Sequence, residues 1–251
     1  MLLRLDHLVI AVADPEAAAA ELERTVGLAS TGGGRHAMWG TYNRLAWLGD
    51  TYVELIGLFD RSLAPGGPVS RAVLAALDAG QMGLVSYAIA TDDAAAEATR
   101  LRAAGSTIGK PETRSRTRPD GEVVTWHAAY AELGPALPPF IVEHDLVGAE
   151  WGADARAARA DLRHPVGGAV RCLGLELPVP DVAEASAAYA TTAGLLVDAS
   201  STAAHVGDQS IRLVTGRPLF DPAIAELEVV GGTGTTGRDI DALGVRWRIR
   251  R

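Results

Sequence analysis

The chain has 251 residues, of which 48% are hydrophobic and 22% charged, with a net charge of −8. That is enough for one large domain or two of about 100–150 residues each, and the negative balance excludes a nucleic-acid partner at the level of the whole chain. A single cysteine, Cys172, excludes an intramolecular disulfide and any cysteine-based zinc cluster.

Residues 4–12 alternate as a half-buried strand, with His7, Val9 and Ala11 on one face and Leu8, Ile10 and Val12 on the other. No apolar run reaches the roughly 18 residues of a membrane span, and no basic-then-apolar leader precedes this strand. No membrane partner is therefore expected, and the expected location is the cytoplasm. Ala13-Asp14-Pro15-Glu16 supplies an N-cap, a proline at the first helical position and an acid behind it, predicting a helix over 15–26 that stops at Gly27. Residues 31–36 read as a glycine-rich turn or loop. Strands are expected over 42–48 and 51–58, joined by the hairpin turn Gly49-Asp50, and a helix near 70–77.

The pattern then restarts. A strand over 83–90 leads into the cap Thr91-Asp92-Asp93, a helix over 94–104 ending at Gly105, and a strand near 106–113. An arginine-rich segment (114–121) precedes strands over 122–130 and 140–145. Val9–Asp14 aligns with Tyr87–Asp92, and Tyr52-Val53-Glu54 with Ile141-Val142-Glu143, an internal repeat of roughly 75–85 residues. A third copy follows, with a strand over 173–179, the cap Pro180-Asp181, a helix over 182–192 and a hairpin across Gly207-Asp208. The tail reads as a truncated fourth copy: a strand (224–230), a short helical turn (237–243) and a last strand (245–249). The fold class is α+β, with paired modules over 1–147, a linker over 148–168 and a degenerate half over 169–251.

Several residues carry chemistry. Glu54 lies mid-strand between Val53 and Leu55, where a carboxylate needs a metal or an arginine as partner. His7 is either a ligand-contacting group or a core histidine bonded to a backbone carbonyl. His36, Thr41 and Asn43 form either a substrate-binding cluster on a loop or a locally stapled turn. His127 is a candidate fourth ligand or general base if its strand turns it inward. Of 23 basic residues only Lys110 is a lysine, a bacterial, GC-rich type of composition. Arg114, Arg116 and Arg118 alternate, and read either as an anion site or as a solvated face. Trp39, Trp47 and Trp126 suit an aromatic pocket or plain core packing. Cys172, in an apolar run, reads as an inert thiol.

Tandem βαβββ units with His7 on a first strand and Glu54 on a fourth resemble the vicinal-oxygen-chelate superfamily, and within it the glyoxalase-like domain proteins. The motifs are Leu5-Asp6-His7-Leu8-Val9, Gly33-Gly34-Arg35-His36, Gly40-Thr41-Tyr42-Asn43, Tyr52-Val53-Glu54-Leu55-Ile56, Arg118-Pro119-Asp120-Gly121 and Leu137-Pro138-Pro139-Phe140-Ile141. The resemblance implies two modules forming a cup around a ligand, with metal ligands from the first and fourth strands of each. Those positions are His7, Glu54, Val85 and Glu143, of which Val85 cannot ligate, leaving His7, Glu54 and Glu143 for a divalent Mn, Fe, Zn or Ni ion. The implied activity is metal-assisted isomerase, lyase or dioxygenase chemistry on a substrate with vicinal oxygens, with Glu54, Glu143 and His127 as catalytic groups. His36, Thr41, Asn43, Arg116 and Arg118 are the expected contacts to a small, anionic substrate. No nucleotide cofactor is expected, and a homodimer is implied. The rival reading is a metal-free protein that sequesters a small molecule in the same cup.

Overall fold

The computed structural model describes residues 1–131, 139–231 and 237–251. The first module comprises β1 (Leu2–Ala11), α1 (Pro15–Thr25), β2 (Gly33–His36), β3 (Thr41–Leu48) and β4 (Thr51–Leu58). A connecting helix α2 (Pro68–Asp78) leads to the second module: β5 (Gly83–Thr91), α3 (Ala94–Ala103), β6 (Glu112–Thr117), β7 (Val123–Ala129) and β8 (Phe140–His144). The strands close into a barrel in the order β1-β4-β3-β2-β6-β7-β8-β5. Each module contributes a β1-β4-β3-β2-like arc, and the arcs meet through antiparallel β1–β5 and β2–β6 pairs.

The helices α1 and α3 start where a side chain satisfies free N–H groups. Asp14 accepts from Glu16 and Ala17, and Asp93 accepts from Ala96. The glycine-rich segment is a strand, β2, and its glycines let the barrel close. A Cβ on Gly34 would stand 2.2 Å from the Thr117 carbonyl oxygen of β6, and one on Gly33 2.1 Å from that of Asn43. The first half of the arginine-rich segment also lies in a strand, β6, which begins at Glu112 where the strand expected near 106–113 was to end. The Leu137-Pro138 part of the motif ahead of β8 lies outside the described residues.

The stretch expected as a linker forms α4 (Gly148–Trp151), α5 (Ala153–Ala160) and β9 (Arg163–His164). Beyond it come β10 (Gly168–Val179), α6 (Val182–Ala193), β11 (Ala203–Val206), β12 (Gln209–Thr215), β13 (Ala223–Val229), β14 (Arg238–Ala242) and β15 (Val245–Arg250). They make an open sheet ordered β11-β12-β10-β13-β15-β14, with β9 paired to β10. The helical turn expected over 237–243 is the strand β14. This sheet has no core of its own. Leu175, Leu177 and Trp247 bury against Leu8, Ile10 and Tyr87 on the outer side of the barrel in one shared cluster. Among the described residues no helix is long and apolar enough to cross a membrane.

Candidate functional site

The alternation of β1 sends Leu8, Ile10 and Val12 outward to the shared core, while Val9 and Ala11 join an inner cluster with Ile56, Ala88 and Phe140. At the other end of this face stands His7. Between Leu5 and His7 the register to β5 shifts, from Leu5↔Ile89 to His7↔Ala88, so Asp6 is the extra residue of a β-bulge. The bulge turns Asp6 to the His7 side. Its Oδ1 lies 2.7 Å from His7 Nδ1 and 2.9 Å from His144 Nε2. Asp6 is fully buried; burial works against its charge, but the two imidazoles outweigh it and hold the carboxyl below the usual carboxylate range.

With Nδ1 engaged by a carboxylate, the neutral His7 ring carries its proton on Nδ1 and presents Nε2 to the cavity. The ring stacks on Tyr52 (4.6 Å between centroids, 16°) and meets the edge of Phe140 (5.4 Å, 70°). Its Nε2 is 3.9 Å from Oε2 of Glu54. Glu54, on β4, is held from below by Asn43, whose Nδ2 donates to Oε1 at 2.6 Å while its Oδ1 accepts from the Gly34 N–H at 2.9 Å. On the far side of the carboxylate, His36 Nε2 is 3.9 Å from Oε1, and His36 Nδ1 contacts the Thr41 hydroxyl at 2.9 Å. Burial pushes the His36 imidazole down to about 4, against the opposing pull of Glu54. His36 is thus a neutral hydrogen-bonding group at physiological pH.

These side chains line one cavity of about 680 Å³, its solvent-open mouth included. Trp39, Trp126, Tyr130 and Phe140 add aromatic wall, and Gly67–Ser70 at the start of α2 another side. Arg116 also lines it. This guanidinium is buried, pairs with Glu150 Oε1 at 2.5 Å and donates to the Gly33 carbonyl, while Arg118 reaches the other Glu150 oxygen at 3.3 Å. Glu150 and Trp151 come from the presumed linker; Trp151 stacks on His144 at 3.7 Å.

Among the expected site residues, the structure therefore brings together His7, Glu54, His36, Thr41, Asn43 and Arg116, and His36, Thr41 and Asn43 sit on strands inside the barrel, not on a loop over it. Arg118 is engaged by Asp120 and Glu150 outside the lining. Two corrections follow from strand alternation. Phe140 and Val142 face inward, so Glu143 faces out and caps α3, accepting from the Ala94 N–H at 2.8 Å. His127, opposite Glu143 in the β7–β8 register, is outside as well, between Thr113 and Asp145. Trp47 packs behind the cavity with Tyr52 and Trp151.

The repeat itself shifts, by one residue on its first strand and by three on its fourth. Val9 pairs with Glu54 as Ala88 pairs with Phe140, and the N-caps Asp14 and Asp93 agree with that alignment. The counterpart of His7 is thus Ser86, that of Glu54 is Phe140, and Val85 matches Asp6. A hydroxyl and a phenyl ring at the second module's positions do not make the four-ligand divalent centre that the resemblance implies. With Glu143 outside, the expected set falls to His7 and Glu54. Among the described residues, one trio is close enough to share an ion, Asp6, His7 and His144, and both imidazoles are already on the same Asp6 oxygen. Asp6, His144, Tyr52 and Glu150 escaped the sequence reading; only the Asp6-His7 adjacency was available to suggest any of them.

The sequence profile of the glyoxalase-like domain family matches residues 5–193. No curated protein sequence matches the chain. A crystal structure of a hypothetical protein from Staphylococcus aureus superposes with a TM-score of 0.79 at 13% identity, over 98% of each chain. A methylmalonyl-CoA epimerase from Streptomyces coelicolor is 20% identical, with a TM-score of 0.43 over 57% of this chain and 99% of its own. The Mycobacterium tuberculosis epimerase is 19% identical, with a TM-score of 0.41 over 59% of this chain and 90% of its own. The first of these shows the fold through the whole chain, C-terminal sheet included. With the family profile spanning both barrel modules, the chain belongs to the glyoxalase-like domain family.

Proposed function

We propose that the protein is a small-molecule enzyme that moves a proton on a substrate with adjacent oxygens, using His7 and Glu54 as the acid–base pair. One observation carries the reading: His7 Nε2 faces Glu54 across the cavity at 3.9 Å while its Nδ1 is fixed on buried Asp6. That is the arrangement of a base whose tautomer is set from behind. One of the pair takes a proton from a carbon next to a carbonyl, leaving an enediolate, and the group so protonated returns it to the neighbouring carbon, directly or after passing it to the other member of the pair. Neutral His36 offers a hydrogen bond to a substrate oxygen without adding charge. Thr41 and Asn43 act as positioning residues, on His36 and Glu54. Arg116 has its charge matched by Glu150 and Arg118 by Asp120 and Glu122, which favours a substrate of low net charge over an anion. Isomerisation or a lyase step follows according to where the proton returns. The finer expectations of a homodimer and of a cytoplasmic location belong to this proposal, and are read by sedimentation velocity and cell fractionation.

The test is deuterium incorporation from D2O into a panel of α-hydroxycarbonyl and α-dicarbonyl compounds, followed by NMR. Wild-type exchange that disappears in both His7→Gln and Glu54→Gln supports the pair; exchange retained in both overturns it. The sequestration reading is favoured by the aromatic wall of Trp39, Trp126, Tyr130 and Phe140. Quenching of tryptophan fluorescence by panel compounds, with no exchange in the wild type, selects it.

A further inference from the structure

We infer that Gln209, in the C-terminal half, is a positioning residue for His7, acting through the β1 bulge; the inference rests on the proton-transfer reading of the site. Asp6 reaches His7 and His144 because the chain bulges between Leu5 and His7. A bulge leaves backbone groups out of the ladder, and buried groups of that kind need other partners. Here they are side chains. The Leu5 N–H donates to Gln209 Oε1 at 2.6 Å across 204 residues of sequence, and the Leu5 carbonyl accepts from the Thr51 hydroxyl at 2.8 Å. Gln209 Nε2 in turn donates to Thr51 Oγ1 and to the Cys172 carbonyl, both at 3.1 Å. The amide is buried and its donors and acceptor are all used, which fixes one orientation.

The two residues whose backbone Gln209 joins are equivalent in position, one offering its N–H and the other its carbonyl. β10 has its own register shift between Cys172 and Gly174, the counterpart of that between Leu5 and His7. The N-caps Asp181 and Asp14 put Cys172 at the place of Leu5 and Gly174 at that of His7. The third module keeps the bulge without the imidazole, and its β12 lends an amide that ties the idle bulge to the working one. Loss of that tie leaves the Leu5 N–H without its partner and lets the bulge between Leu5 and His7 relax, which swings Asp6 away from His7.

The experiment uses the full-length protein labelled with 15N-histidine, with His7 assigned by His7→Gln. The wild type is expected to show His7 protonated on Nδ1. Gln209→Met is expected to shift it toward a tautomer mixture and, in the exchange assay, to lower kcat by roughly 10- to 100-fold with KM less affected. Gln209→Glu, which keeps the acceptor for the Leu5 N–H, restores the Nδ1–H signal in part. Thr51→Val reads the same bulge from the Leu5 carbonyl should Gln209→Met not fold. Tyr189→Phe, which removes a 2.7 Å hydroxyl contact to Tyr87 elsewhere between barrel and sheet, leaves the His7 signal in place. An unchanged tautomer in Gln209→Met, or in Thr51→Val where that variant stands in, overturns the inference, as does an equal shift in Tyr189→Phe. The tautomer is read without substrate, so a shift accompanied by no turnover in any variant supports the positioning role and counts against the proton-transfer reading alone.

Discussion

Replacing His36 by glutamine should remove a large part of the acid sensitivity of the fold. His36 is 5% exposed, and burial, aided by Arg116 and His7 and opposed by Glu54, pushes its pKa to about 4. In the unfolded chain the same imidazole titrates near the ordinary ~6.5. Between those values the unfolded state takes up a proton that the folded state refuses. The sign follows: stability is full above pH ~6.5, falls as pH drops through the window, and levels off below the folded value. A gap of ~2.5 units at ~1.36 kcal/mol per unit gives a loss of about 3 kcal/mol. Asp6 does not share this window. Its folded carboxyl lies below the usual range, so its contribution starts to fade only below the unfolded ~3.9. His164, also pushed down by burial, does share it with the same sign. The quantity to measure is therefore the difference between wild type and His36→Gln in urea-unfolding free energy, at steps from pH 7 to pH 4. The wild type should lose about 3 kcal/mol more than the variant over that range. Parallel pH profiles would refute both the burial argument and the neutral role given to His36.

Asp6→Asn tests the tautomer directly: an amide can donate to His7 Nδ1 and move the ring proton to Nε2. Activity should fall by up to ~10⁴-fold, as wrong-tautomer variants of histidine bases do, with circular dichroism unchanged. Glu150→Ala strands buried Arg116 and should cost about 3–5 kcal/mol. Arg118→Ala, on a partly exposed partner, should cost about 0–1 kcal/mol; equal losses in chemical denaturation would contradict the burial of the Arg116–Glu150 pair. Cys172 is buried and its thiol is pushed up to about 12, so iodoacetamide at pH 8 should label it only in urea. Rapid labelling of the folded protein would show that the sheet does not pack as described.

The fold was legible where signals are local. Asp14, Asp93 and Asp181 announce their helices, and each cap does what a short polar side chain before a helix does. Register was not legible, because bulges leave no mark in an apolar run. Gly83–Ala90 is buried throughout, so nothing in its pattern separates Val85 from Ser86. Aligned on pattern alone, the repeat is thus one residue out on its first strand, and three residues out on its fourth, where Glu143 is set in the place of Phe140. Strict alternation also put Asp6 on the face opposite His7, hiding the contact that sets the imidazole. Glu150 and Trp151 were hidden differently: they sit in an alanine-rich stretch whose inward groups are charged or single. Arg159 lies 3.9 Å over Trp47 there, packing by its guanidinium face where a leucine would have shown the pattern.

The modules divide the work by what each lost. All three complete ones keep a strand that ends on an aspartate cap, and at equivalent places they carry His7, Ser86 and Gly174. In the first, the bulge residue is Asp6 and the imidazole faces the cavity; in the second, Val85 and Phe140 replace carboxylates, so that half becomes wall. Such a barrel cannot close from one module, since β1 needs β5 and β2 needs β6. The second module is thus required for geometry even without ligating groups. The same reasoning reaches the third. Its sheet buries the outer faces of β1 and β5, where an exposed Leu8, Ile10 and Tyr87 would otherwise meet water, and at about 1.5–3 kcal/mol per large side chain that cover is a substantial part of the stability. Having to sit against β1 for that reason, it is also placed to reach Leu5, and so Gln209 bonds a strand residue 204 positions away beside the bulge that sets Asp6.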